Sequence, residues 1–141
     1  MGTSWHRTPS LNALAAYPVL SPALNRRGKP GDLLQYPLLH EDDGGLWQRW
    51  FQAAGANSIK APRRMRLNDV ALVLQAAAEG QGVALGDDLL AGDDLRARRL
   101  IKPFEIEMPC GAYWLMRSRS ASISPAQRAF EDWLRSELPS Q

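Results

Sequence analysis

From Val70 to Ala78 the chain carries a single polar side chain, Gln75. Asn68 and Asp69 stand before this run, and Gly80 and Gly82 stand after it. Short polar side chains ahead of an apolar run accept hydrogen bonds from the first-turn N–H groups of a helix. Glycine behind it supplies the left-handed stop. A helix apolar nearly all round is expected to be largely buried, so it forms one layer of a packed domain. Val83-Ala84-Leu85 then reads as a buried strand reached through a tight turn.

The remaining chain repeats this alternation. Residues 1–16 show no period and read as a loose leader. Tyr17 to Leu20 reads as a short strand stopped at Ser21-Pro22, Arg26 to Pro30 as a turn, and Gly31 to Gln35 as one helical turn. Pro37-Leu38-Leu39-His40 suits a buried strand. Beyond Asp43-Gly44-Gly45, the residues Leu46, Trp47, Trp50, Phe51 and Ala54 make a helical stripe closed by Gly55. Met65 and Leu67 alternate with Arg64, Arg66 and Asn68, as in a strand. Asp87 or Asp88 can cap a short helix through Ala91. Arg99 to Pro103 and Ala112 to Met116 read as strands, and Ser118 to Ser124 as a serine-rich loop. Ser124, Pro125 and Gln127 then open a helix with a capping box and proline at its first position. Its apolar face is Phe130, Trp133, Leu134 and Leu138. Strands alternating with helices imply an α/β fold with a mainly parallel sheet.

Five tryptophans, three tyrosines and three phenylalanines at a net charge of +2 exclude a disordered chain. The lone cysteine, Cys110, excludes a disulfide framework and a multi-cysteine zinc site. No apolar run approaches the ~20 residues that span a bilayer. Arg7 followed by Leu11 to Leu20 resembles a signal peptide, but Asn12 and Pro18 interrupt it and no small-x-small cleavage site follows. The expected address is therefore the cytoplasm. The first half of the chain, to Val70, is net positive and the second half net negative. The densest basic stretch, Lys60, Arg63, Arg64 and Arg66, has no aromatic residues interleaved, so it reads as a solvated approach to a strand rather than a nucleic-acid surface.

Few constellations promise chemistry. Gly80-Gln81-Gly82 ends a helix and enters a strand, the reverse of a dinucleotide-binding loop. His40-Glu41-Asp42-Asp43 offers adjacent metal-ligand types at no recognised ligand spacing, and a polar strand-to-helix loop is the better reading. Cys110 has only His6 and His40 as candidate bases, and no G-x-S-x-G element exists, so no catalytic set emerges. Asn68 and Asp69 remain. They are helix caps, and a helix start after a strand also presents N–H groups to a small polar ligand. Asp69 disfavours a bound carboxylate and can accept from an amine or hydroxyl. His40, at a strand end, and Tyr113, on a late strand, can join them; a core tyrosine with a satisfied hydroxyl is the equally simple reading of Tyr113.

An ordered series of segments resembles the effector-binding domain of LysR-type transcriptional regulators. It begins with Tyr17-Pro18-Val19-Leu20-Ser21-Pro22-Ala23-Leu24 and Tyr36-Pro37-Leu38-Leu39-His40. Trp47-x-x-Trp50-Phe51 and Leu74 through Gly86 continue it, and Leu100-Ile101-x-Pro103-Phe104, Ala112-Tyr113-Trp114-Leu115 and Phe130-x-x-Trp133-Leu134 complete it. The branch most resembled contains glycine-cleavage and β-lactamase gene activators. The resemblance implies a periplasmic-binding-protein-like type 2 fold. Its three-layer lobes have a mainly parallel sheet with helices on both faces, and a small-molecule effector binds between them. Residues 17–108 then correspond to the second lobe, and 109–141 to the strand and helix that return to an incomplete first lobe. The resemblance places Asn68, Asp69 and Val70 at a helix start facing the effector, with Tyr113 beside it. No cofactor is implied. Such regulators begin with a winged helix-turn-helix, which is not visible upstream of Tyr17, so DNA binding is implied for the family rather than for these residues. Phe130 and Trp133 on the returning helix suggest a homo-oligomer. The competing expectation is a stand-alone solute-binding lobe with no DNA-binding role.

Overall fold

The computed structural model describes residues 4–7, 10–24, 28–56, 63–119 and 122–138. The chain divides into two units: one comprises residues 15–110, the other residues 1–14 and 111–141. The larger unit is built on the end of β2 (Asn12–Val19), β3 (Leu38–His40), β4 (Arg64–Arg66) and β5 (Ala84–Gly86), with helices α1 (Gly45–Ala53), α2 (Val70–Ala78) and α3 (Asp88–Arg96).

Pairing is mixed. β3 runs parallel to β4, with Leu38 opposite Arg64 and His40 opposite Arg66. A parallel bridge joins Leu38 to Val83 at the approach to β5. β2 is antiparallel to β5, with Tyr17 opposite Gly86 and Val19 opposite Ala84. The expectation of a mainly parallel sheet is thus corrected, because β2 enters with the reverse sense. The strand expected over Arg99 to Pro103 contracts to one antiparallel bridge between Leu20 and Ile101, with Pro103 lacking an N–H to extend it.

Adjacent strand residues face opposite sides, and the core follows that alternation. Leu38 and Val83 pack in one cluster with Trp47, Trp50 and Phe51 of α1. Leu39 and Ala84 pack in another with Val73, Leu74 and Ala77 of α2 and Ala91 of α3. Helices therefore cover both faces of these strands. α1 forms because its four large apolar residues share one stripe, and it stops where Gly55 takes a positive φ of 75°. α2 is not buried all round as its composition suggested: Ala71 and Leu72 are exposed, since only the side toward β3, β5 and α3 is covered. α3 runs to Arg96, past the expected end at Ala91.

The second unit holds β1 (Trp5–Arg7), β7 (Met116–Ser118) and α4 (Pro125–Glu137). β1 and β7 pair antiparallel, with Trp5 opposite Ser118 and Arg7 opposite Met116. The leader expected at residues 1–16 thus carries β1 and most of β2; its short strand had no period long enough to read. The strand expected over Ala112 to Met116 is divided into β6 (Met108–Tyr113) and β7, leaving Trp114 and Leu115 between them. The α4 capping box forms as its spacing predicts: Gln127 N–H donates to Ser124 Oγ at 3.2 Å and Ser124 N–H to Gln127 Oε1 at 2.8 Å. Arg26, Lys60 and the middle of the Ser118–Ser124 loop lie outside the described residues.

Candidate functional site

Parallel pairing puts the carboxyl ends of β3 and β4 side by side, and Leu67 N–H donates to the His40 carbonyl at 2.9 Å. Leu39 N–H donates to the Val83 carbonyl at 2.8 Å, so the run into β5 ends on the same edge. Each strand then feeds a helix: β3 into α1, β4 into α2, β5 into α3. In α/β folds such an edge is where ligands bind. His40, Asn68, Asp69 and Val70 all reach it.

Aspartates cap each of the three helix starts. Asp42 accepts from Gly44 and Leu46 N–H at 2.9 and 3.1 Å, and Asp43 from Gly45 N–H at 2.9 Å. Asp69 accepts from Leu72 N–H at 2.9 Å. Asp87, itself buried, accepts from Leu89 and Leu90 N–H at 2.8 and 2.9 Å. The positive end of each helix is therefore answered from within the chain. An incoming carboxylate meets fixed negative charge here, whereas an ammonium, hydroxyl or amide N–H meets carboxylate lone pairs. Asp42 and Asp43 are spent as caps, and among the described residues no group of three or more His, Cys, Asp or Glu is arranged to hold a metal ion.

His40 is held rather than loose. Its Nδ1 lies 2.7 Å from the Asp42 carbonyl, and a carbonyl can only accept. Nδ1 therefore carries the proton, and in the neutral ring Nε2 is the acceptor. Asn68 and Asp69 are exposed, while Val70 is half-buried against the α2 cluster. Tyr113 belongs to the other unit, where it is exposed at the end of β6 and its carbonyl accepts from Leu11 N–H at 2.8 Å. It is not packed in a core.

One network had no signature in the sequence. The phenol of Tyr17, buried in β2, donates to Asp88 Oδ1 at 2.6 Å, and Lys102 Nζ lies 4.2 Å from the Tyr17 ring centroid. Lys102 also pairs with Glu107 at 2.5 Å. Burial, the bond to Asp88 and the nearby carboxylates all push the Tyr17 phenol upward from 10.0. Folded Tyr17 keeps its proton where the unfolded phenol has lost it, so its contribution is intact below pH 10 and declines above it. Above pH 10 the wild type should lose about 1.4 kcal/mol more per pH unit than Tyr17→Phe. Denaturant melts of both chains from pH 8 to 11 check this, and parallel curves would refute it. The Cys110 thiol is also pushed up, by burial and then by Asp87, against a smaller opposing pull from Arg49. That favours the unreactive protonated form.

A groove of about 340 Å³ lies between α2 and α3 and includes Leu74, Gln75, Leu90 and Arg99. None of the expected site residues lines it.

Comparison with known proteins gives this edge a context. Residues 13–139 match the LysR substrate binding domain family. The chain is 31% identical over 140 residues to the HTH-type transcriptional activator AmpR of Yersinia enterocolitica, covering 98% of this chain and 48% of the relative. It is 33% identical over 133 residues to the glycine cleavage system transcriptional activator of Escherichia coli K12, covering 91% and 44%. The chain spans about half the length of these curated relatives. Among solved structures, the effector domain of AmpR from Pseudomonas aeruginosa superposes with a TM-score of 0.79 at 29% identity, covering 96% of this chain and 66% of that one.

Proposed function

The chain belongs to the LysR substrate-binding domain family, and from that premise we propose that it is the effector-sensing part of a LysR-type transcriptional regulator. The observation that carries this reading is the convergence of His40, Asn68 and Asp69 at the carboxyl edge of β3 and β4, on the start of α2. The larger unit corresponds to the second lobe of a periplasmic-binding-protein-like type 2 fold, and the segment from residue 109 onward to part of the first. Asn68, Asp69 and Val70 contact a small-molecule effector, with His40 at its margin; Tyr113, in the other unit, is a separate candidate carried by the resemblance alone. The acidic caps select an effector that presents a hydrogen-bond donor to Asp69. In the whole regulator, bound effector favours one lobe arrangement and thereby biases DNA binding, by no more than its differential affinity for the two states. The relatives act in transcription, and no catalytic role is proposed. Homo-oligomeric assembly and a cytoplasmic address complete the reading; among the described residues no helix is long and apolar enough to cross a membrane.

A thermal-shift screen of amino acids, cell-wall peptides and small acids tests it. A ligand at a hundred times its Kd stabilises by about 2.7 kcal/mol, an easily resolved shift. Asp69→Asn keeps a good helix cap but removes the charge. The expected result is a nearly unchanged melting temperature without ligand, and a lost or strongly reduced ligand shift. An Asp69→Asn, Asn68→Ala double variant that responds like the wild type would refute the assignment.

A further inference from the structure

Arg63 leads into β4, which carries Arg64 and Arg66, and all three arginines are exposed. Among the described residues β4 pairs only with β3, so it is an edge strand. Arg64 stands opposite Leu38 and Arg66 opposite His40, which puts both on the α1 face, about 6.6 Å apart along the strand. Their guanidinium groups are held, but by neutral partners. Arg63 donates through Nη2 to the Gln35 carbonyl, and Arg66 through Nε to the Glu41 carbonyl at 3.3 Å. The Arg64 guanidinium lies over Gly44, with Nη1 3.1 Å from where a Cβ would stand. Asp42 and Asp43, the acids before Gly44, are engaged by N–H groups at the start of α1. Among the described residues no carboxylate forms an ion pair with any of the three arginines, whereas Arg96, Arg99 and Lys102 are each answered by Asp or Glu.

A carbonyl anchor fixes the fork of an arginine without neutralising it, and the remaining N–H groups stay free for an anion. We propose that Arg63, Arg64 and Arg66 form a contact surface for the phosphate backbone of duplex DNA. Charge complementarity selects that occupant, since guanidinium groups pair with phosphate oxygens in charge-assisted, often bidentate bonds. A protein partner is anchored instead by apolar or aromatic side chains at the centre of its interface. This side of β4 offers none, because Met65 alternates to the opposite face. The lack of interleaved aromatics excludes stacking on unpaired bases. It does not exclude a duplex, whose backbone is bound by charge alone. The surface is therefore more than a solvated approach to a strand. It is independent of the effector reading, and its test involves no effector.

Fluorescence anisotropy of a short labelled duplex of arbitrary sequence, titrated with the full chain, tests this. Affinity should fall roughly fortyfold between about 50 and 200 mM salt, the logarithmic slope of about −2.7 that three neutralised phosphates give. Arg64→Gln alone should flatten that slope by about 0.9, and Arg63→Gln, Arg64→Gln and Arg66→Gln together should abolish binding. Removing three charges elsewhere, by Arg96→Gln, Arg98→Gln and Arg99→Gln, should leave slope and affinity nearly unchanged, which separates a local surface from an effect of net charge. The substituted positions of β4 are exposed, so near-ultraviolet circular dichroism from the buried Trp47 and Trp50 should stay unchanged. No binding at low salt, or equal losses in the two triple variants, would overturn the proposal. So would displacement of the duplex by poly-L-glutamate at matched charge, which would point to an acidic protein partner.

Discussion

Trp50→Ala should remove about 4 kcal/mol of stability, read as a fall in the denaturant midpoint at constant slope. Trp50 is fully buried and meets Trp47 edge-on with ring centroids at 6.1 Å, Phe51 at 5.2 Å and Phe104 at 6.1 Å. Its indole N–H donates to the Ile106 carbonyl at 3.0 Å. Truncation therefore opens a cavity among rigid rings and leaves a carbonyl unpaired. The two costs fall on a domain whose whole stability is of the order of 5–15 kcal/mol. Trp50→Phe keeps most of the volume and loses the N–H, so it should cost less than the alanine variant. A loss below about 1 kcal/mol for Trp50→Ala would mean that the cluster collapses onto the gap, contrary to the usual partial relaxation of cores.

Gly82→Ala is expected to follow at about 3 kcal/mol, at the upper end of overpacking penalties. A Cβ at Gly82 would stand 2.3 Å from the Pro37 carbonyl oxygen and 3.1 Å from two atoms of Leu39. The same oxygen accepts from Val83 N–H at 2.9 Å, so backing away from the new methyl breaks the hydrogen bond that sets the approach to β5 beside β3. Two other glycines separate this cause from general glycine effects. Gly80 has a positive φ of 77° but open space around it, so Gly80→Ala should cost only the left-handed penalty of about 1–2 kcal/mol. Gly31 has neither restriction, and Gly31→Ala should be near neutral. Equal losses at Gly80 and Gly82 would refute the steric account.

The elements that were legible are those specified locally. The α1 stripe, the Asp69 cap, the left-handed Gly55 and Gly80, and the Ser124–Gln127 box each depend on residues a few positions apart, so spacing reveals them. Strand pairing depends on partners far along the chain. β2 meets β5 across more than sixty residues, and nothing in the Tyr17 to Leu20 pattern states that this pairing is antiparallel. The short strands β1 and β7 were misjudged for the same reason: three residues carry no readable period. For the candidate site, Asn68 and Asp69 declared themselves as caps, and His40 joined them only through the β3–β4 register. The Tyr17–Asp88–Lys102 network was illegible because it links a core strand, a helix start and an irregular segment.

The division of the chain into a continuous unit and a split one also orders events in time. Residues 15–110 can collapse on their own contacts as soon as they are available. β1 must instead wait for β7, which lies more than a hundred residues further on. Closing a free loop of that length carries an entropy cost that grows with the logarithm of its length. Prior folding of the intervening segment shortens the effective loop and removes much of that cost. On a ribosome, β1 emerges well before its partner β7, so their pairing must wait for the intervening chain. In the folded protein the β1–β7 amides should exchange with solvent far sooner than those of β5 or α2, marking this ribbon as the part that opens while the rest stays shut.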